Sequence, residues 1–269
     1  VVGGEALVKA VDKVIEKAKP LAAHLLEANV DDLEFANGRF TVRGTDQGKH
    51  ITELALASFA GHDYPDGAEL GIDADATYDP VNFNYPHGTH LCAMEVDTET
   101  GQVRMRKYVC CDDIGNIINP LIVEGQVHGG LVQGIAQALW EEAVYDDAGN
   151  LVSGSFVDYL LPSAADTISF EVAHTTSPAT TNTLGTKGVG EAGTIASTPA
   201  VVNAVVDAVR HLGINDITMP CTPERVWKAM QQATSEGAVQ GSPHSLTTPH
   251  PPRSMKPSLC WVNTATTPS

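Results

Sequence analysis

Between Asn119 and Glu142 the chain reads NPLIVEGQVHGGLVQGIAQALWEE, an apolar helical pattern interrupted by Gly125, Gly129, Gly130 and Gly134. A glycine inside a helix costs about 1 kcal/mol relative to alanine. Four of them in one helix argue that something presses too close to leave room for a Cβ. This is the tightest constraint in the sequence, because a helix over 120–142 needs a partner that approaches along a stripe without side chains. Gln126 and Gln133, seven residues apart, share a face with Gly130. Amide side chains donate and accept at once, which suits a heterocyclic ligand. A closely packed helix pair with glutamines at its rim is the alternative.

A second glycine group lies at LGTKGVGEAGTIASTP, residues 184–199, where Glu191 sits among Gly188, Gly190 and Gly193. The glycines match G-x-G-x-x-G, but a dinucleotide fingerprint also needs a buried strand before them and a helix opening within them. It needs an acidic residue at a second strand end as well. SPATTNTLGTK does not read as a buried strand. The helix is expected only from Pro199, capped by Ser197 or Thr198, and Asp207 falls inside it. The loop then reads either as a turn or as backbone that approaches a ligand through glycines free to adopt positive φ. On the second reading Glu191 is a fixed general base.

The other elements follow from periodicity. Glu5–Ala28 is helical, with Pro20 kinking or splitting it. LEFANGRFTV is a hairpin about Asn37–Gly38, and TELALASFA is a short helix with Thr52 as a possible N-cap. Residues 61–87 form a long connection. LCAMEVDTETGQVRMRKYVCC and AVYDDAGNLVSG read as hairpins and ISFEVAH as a strand. DITMPCTPERVWKAMQ reads as a strand followed by a last helix. Helices alternating with antiparallel hairpins make the class α+β, over residues 1–233. Residues 234–269, rich in Ser, Thr and Pro without apolar period, are expected to be an unstructured tail.

The formal net charge of −17 argues against nucleic acid and anionic membranes as partners, since both select Lys and Arg clusters. No transmembrane segment or signal peptide is expected. The five cysteines contain no C-x-x-C pair, so they read as reduced, inert thiols of a cytoplasmic protein, and no zinc site is expected. His87 and His90 sit three apart in PHGTH, but Pro86 and Gly88 argue against a helical metal site. His128 reads as packed or solvent-facing, and turn chemistry accounts for Asp112 and Asp113. The chain begins without Met, as a piece of something longer would.

TKGVGEAGTIASTPAVVNAVVDAV resembles the catalytic loop of the large subunits of the molybdenum hydroxylase, or xanthine oxidase, family, and DDIGNIINPLIVEGQVHGGLVQGIAQALWEE resembles their cofactor-contacting helix. The GEAGTI wording and the hairpin HGTHLCAMEVDTETG point within that family toward the aerobic carbon monoxide dehydrogenase type. The likeness runs from Val1 to about Gln231. It implies the C-terminal part of a molybdopterin-binding domain. By its pattern Glu191 is the base beside the metal, Gln126 contacts the molybdopterin, and Lys187, Gly188, Val189 and Gly190 line the pocket, with no metal ligand in this chain. It implies a molybdopterin carried as a dinucleotide, and copper on an upstream cysteine outside this chain if carbon monoxide is the substrate. It also implies iron–sulfur and FAD sites on partner subunits in a dimer of heterotrimers. That enzyme is cytoplasmic, with association at the inner face of the membrane open. The implied reaction is oxidation of a small substrate, carbon monoxide to carbon dioxide, with water as the oxygen source. A related hydroxylase of an aldehyde or N-heterocycle and a non-catalytic assembly piece are the alternatives. This portion alone is expected to be inactive.

Overall fold

The computed structural model describes the backbone of residues 1–240 and 258–263, with side chains through Ala233. The chain divides into two compact units. One comprises Val1–Phe83 with Thr181–Leu184, and the other Asn84–Thr180 with the chain from Gly185 onward.

In the first unit, α1 (Val2–Leu25) runs as one helix through Pro20. The expected split is not seen, because Ala18, Leu21, Ala22 and Ala23 are all buried and hold the helix on both sides of the proline. They pack with Leu33, Phe40 and Leu54. Strands β1 (Leu33–Ala36) and β2 (Arg39–Val42) pair with Ala36 opposite Arg39. Asn37 and Gly38, at φ 50° and 75°, close the two-residue turn, the geometry that matches strand twist. Strand β3 (Gly48–His50) adds to β2 and leads into α2 (Ile51–Ala60). The cap there is His50, not Thr52: its ring accepts from Thr52 N while Glu53 accepts from His50 N in a capping box. Buried Glu5 accepts from Thr183 Oγ1 and from Leu184 N at 2.9 Å, binding residues 181–184 into this unit.

The second unit is built on a sheet ordered β6-β5-β4-β7. Strands β4 (His87–Val96) and β5 (Val103–Asp113) form the long hairpin read from the sequence. Strand β6 (Glu171–Thr175) lies parallel to β5. Two helices lie against the core: α3 (Pro120–Leu139), capped by Asn119, and α4 (Ala192–Val209). The sheet contributes Cys92, Met94, Tyr108 and Cys110, α3 contributes Val127, Leu131 and Ile135, and α4 contributes Val201, Val205 and Val209. Each of these valines stabilises the fold by about 1.5–3 kcal/mol through burial. Ala192–Leu212 is long and apolar enough to cross a bilayer, but half of it is buried here, which makes it a core helix.

Some local expectations change. AVYDDAGNLVSG closes as a short hairpin on the antiparallel bridge Tyr145–Leu151, with Asp146 N donating to Asn150 O and Val152 N to Val144 O, whereas DITMPC forms no strand. The expected tail from residue 234 meets two described elements, because α5 runs Pro223–Gln240 and β7 (Ser258–Asn263) pairs antiparallel with β4. SLCWVN combines β-favouring Val and Trp in a six-residue run, a signal the polar composition around it hides. Residues 241–257 and 264–269 lie outside the described residues.

The α3–α4 crossing explains two of the four glycines. A Cβ on Gly134 would lie 1.9 Å from Ser197 Oγ, and one on Gly130 would lie 3.0 Å from Thr194 N. On α4, a Cβ on Gly193 would lie 2.5 Å from Val127 O. Gly125 and Gly129 have nothing within 4 Å. Substitution should therefore split by sign. Gly193→Ala forces backbone apart and should cost about 1–3 kcal/mol, whereas Gly129→Ala should stabilise by up to about 1 kcal/mol through helix propensity. Urea-unfolding midpoints check both, and equal shifts in the same direction would contradict the crossing.

Candidate functional site

The crossing also places the start of α4. Gly193 rests on the Val127–Leu131 turn of α3, Thr194 Oγ1 donates to Gly130 O at 2.9 Å, and Thr198 Oγ1 donates to Gly134 O at 3.1 Å. Helical bonding begins with Ile195 N donating to Glu191 O at 3.0 Å. Glu191 is therefore the N-cap and Pro199 lies inside the helix, which corrects the expected start at Pro199. Proline there marks an N1 position only if the preceding turn is free, and here that turn is fixed on α3. With the helix opening at Ala192, one objection to a dinucleotide fingerprint falls. The others stand, because residues 176–190 form no strand and Asp207 sits within α4.

Glu191 is exposed, and its side chain makes no capping hydrogen bond, so the reading of a carboxylate that merely ties a turn has no support. Gln126 is exposed as well. It directly precedes Val127 in sequence, and Glu191 stands two residues before Gly193. Gln133 takes part in the rim, accepting from Thr194 Oγ1 at 3.3 Å. Val189 packs on the core. Gly188 and Gly190 are exposed. The expected positive φ at Gly188, Gly190 and Gly193 is not adopted, since the left-handed glycines near the loop are Gly115 and Gly185.

Those two make a seam that the sequence reading missed. A Cβ on Gly115 would lie 2.3 Å from Gly185 O, and one on Gly185 would lie 2.6 Å from Asn116 Nδ2. Asn116 N donates to Gly185 O and Lys187 N to Ile114 O, both at 2.9 Å. Beside the seam, Lys187 Nζ is 2.9 Å from Asp113 Oδ1, with side-chain exposures of 11% and 1%. Asp113 also accepts from Gly115 N at 3.0 Å, and His87 Nε2 approaches at 3.8 Å. Burial pushes the Asp113 carboxyl up. The Lys187 ammonium, the Gly115 N–H and the Ser177 hydroxyl more than reverse that and hold it well below the usual carboxylate range. Turn chemistry accounts for the Gly115 bond but not for the pairing with Lys187, 74 residues away.

On the core face of the hairpin, His90 Nδ1 meets Tyr108 Oη at 2.8 Å and its Nε2 meets Asp112 Oδ1 at 3.1 Å. His90, Cys110 and Asp112 place their ligand atoms within 4.8 Å of one another. Both imidazole nitrogens are engaged, and burial pushes the Cys110 thiol up to about 12, so the group stands as a hydrogen-bonded core network. Cys221 is likewise buried, its thiol pushed by burial up to about 11. His128 packs against Phe170 with ring centroids 5.8 Å apart.

A family model for the molybdopterin cofactor-binding domain matches residues 1–168. The chain belongs to that family. It is 42% identical over 231 residues to the carbon monoxide dehydrogenase large chain of Hydrogenophaga pseudoflava, covering 86% of this chain and 29% of that protein. It is 40% identical over 234 residues to subunit gamma of the 6-hydroxypseudooxynicotine dehydrogenase complex of Paenarthrobacter nicotinovorans, with coverage of 86% and 29%. A crystal structure of Cu,Mo-CO dehydrogenase in its carbon monoxide reduced state superposes with a TM-score of 0.81 at 40% identity, covering 86% and 29%. The chain thus spans less than a third of the length of these relatives.

The donor set present is of a kind that fits a molybdopterin: Gly125, Gly129 and Gly190 have open space where side chains would stand, and next to them in sequence are the exposed Gln126 amide, which donates and accepts, and the exposed Glu191 carboxylate, which makes no capping bond.

Asp113 contributes stability that is fully present above the pKa of an unfolded aspartate, about 3.9, and is lost as pH falls through its depressed folded value. Asp113→Asn leaves a buried ammonium without its counter-charge and should cost about 3 kcal/mol at pH 7. The gap between wild type and variant should narrow below about pH 4. Urea titrations at several pH values measure it, and an equal gap at pH 3 and pH 7 would contradict the pairing.

Proposed function

We propose that the chain forms the C-terminal part of the large, molybdenum-binding subunit of an oxidoreductase of the xanthine oxidase family. Glu191 is its proton acceptor. The observation that carries this reading is the carboxylate of Glu191, exposed and free of any capping bond at the start of α4, where Gly193 rests on the turn of α3 that follows the exposed Gln126. Gln126, Gly188, Val189 and Gly190 hold the molybdopterin, carried as a dinucleotide. When bound, that group supplies the two-electron oxidising capacity and the place of oxygen transfer. The protein's own part is to hold a proton acceptor at fixed geometry, to orient the heterocycle through the Gln126 amide, and to leave glycines where side chains would obstruct approach.

The favoured reaction is oxidation of carbon monoxide to carbon dioxide with water as oxygen source. The identity of 42% to a carbon monoxide dehydrogenase large chain supports it, with copper held by a cysteine outside this chain. Hydroxylation of an N-heterocycle is a second reading, because the nicotine 6-hydroxylase large subunit of Paenarthrobacter nicotinovorans is similar at 36%. Electrons leave through iron–sulfur and FAD subunits in a dimer of heterotrimers in the cytoplasm. Leu121, Ile122 and Ile195, exposed apolar residues on the two crossing helices, support a chain that is covered by further parts of a larger subunit. Molybdenum absent from the purified assembly would instead favour a non-catalytic assembly piece.

Glu191→Gln preserves shape and hydrogen bonding but removes proton acceptance. In the assembled enzyme it should lower turnover by about 10²–10⁴-fold, while molybdenum content by elemental analysis stays near wild type. Near-normal turnover would end the assignment.

A further inference from the structure

Lys187 stands four residues before Glu191, where a cation facing an anionic cofactor is the simple expectation. Its ammonium is instead 2.9 Å from the buried Asp113 carboxylate, on a side chain only 11% exposed. A charge neutralised at that distance has little left to offer a ligand anion. Everything around Lys187 ties it to the exit of β5: its own N–H donates to Ile114 O, Asn116 N donates to Gly185 O, and Gly115 bridges Thr186. At the far end of the span, Gly193 fixes the first turn of α4 on α3. Between Lys187 and Glu191, the N-cap of α4, lie only Gly188, Val189 and Gly190, two of them without a Cβ, and Ala192 beyond them is already buried with the helix. The first neighbour a Cβ on Gly188 would meet is Asn84 O at 3.9 Å, and one on Gly190 would meet nothing within 4 Å. The span has no side-chain packing of its own beyond Val189, so its course is set from its ends.

We infer that Lys187 is a positioning residue acting through Asp113: the buried ion pair fixes the β5 end of the Lys187–Glu191 span and so sets where the Glu191 carboxylate stands. The pair does this without binding the cofactor. The inference rests on Glu191 as the proton acceptor. Loss of either partner leaves the span anchored only at α4, and the carboxylate wanders while cofactor contacts through Gln126 persist.

The test uses Lys187→Met, Asp113→Asn, the double variant and Lys187→Arg in the assembled enzyme. Each single variant that breaks the pair should lower kcat by up to about 100-fold, the scale of a misplacement near 1 Å. KM and molybdenum content should change little. The double variant should be no worse than the poorer single, because one shared function is lost once. Lys187→Arg, which keeps the charge, should recover part of the rate. Hydrogen exchange at the amides of residues 188–192 should accelerate in both single variants, a readout that does not depend on turnover. If Lys187→Met loses molybdenum while Asp113→Asn retains it, Lys187 is a cofactor ligand and the inference falls. If kcat and exchange both stay at wild-type values, the pair does not hold the span and the inference falls again. Should Glu191→Gln remain active, the proton-acceptor reading is lost, and accelerated exchange would still assign the pair to holding the span.

Discussion

The site depends first on a contact between two backbones, Gly193 of α4 on the Val127–Leu131 turn of α3. Side chains would hold these helices farther apart, and Thr194 and Thr198 could not reach the carbonyls of Gly130 and Gly134. Those hydroxyl bonds satisfy donors that would otherwise be buried at cost. They also register α4 along α3 to within one residue. Because the register is fixed, the helix end of the Lys187–Glu191 span is fixed, and Glu191 is the last residue of that span. The glycines of this chain therefore serve helix packing first, and the open positions Gly125, Gly129 and Gly190 are what that packing leaves available to a ligand.

A second constraint is electrostatic. The interior of the hairpin unit carries two adjacent buried carboxylates, Asp112 and Asp113, that are resolved differently. Asp113 is compensated by an ammonium and a backbone N–H, which favours its charged form. Asp112 faces His90, which in turn meets the Tyr108 hydroxyl. One aspartate thus looks to the site loop and its neighbour to the core, as alternation along a strand requires. That division lets a single strand end support both the sheet core and the loop that carries Glu191.

Much of this was legible in the sequence, in proportion to how local the physics is. The Asn37–Gly38 turn and the long β4–β5 hairpin depend on nearest neighbours and emerge as expected. The four-glycine pattern called for a close partner but could not name it, and the partner for Gly130 and Gly134 is α4. Where the local signal was outvoted by tertiary contact, sequence reasoning failed. Pro199 reads as a helix start, yet Gly193 and Ala192 are buried early enough to begin the helix seven residues sooner. Pro20 reads as a break, yet burial on both sides keeps α1 whole. Asp113 reads as turn chemistry because its partner Lys187 is 74 residues away. A lone lysine beside glycines, paired with a strand-ending acid, is a signal that becomes readable only once the seam at Gly115 and Gly185 is known.

The central claim is that one helix crossing brings a carboxylate and an amide to a single molybdopterin site. A crystal structure of the assembled, cofactor-loaded protein measures it most directly. The account predicts both the Glu191 carboxylate and the Gln126 amide within hydrogen-bond reach of the bound group, about 2.6–3.2 Å. Gln126 pointing into bulk solvent, or Glu191 turned away from the cofactor, would contradict it.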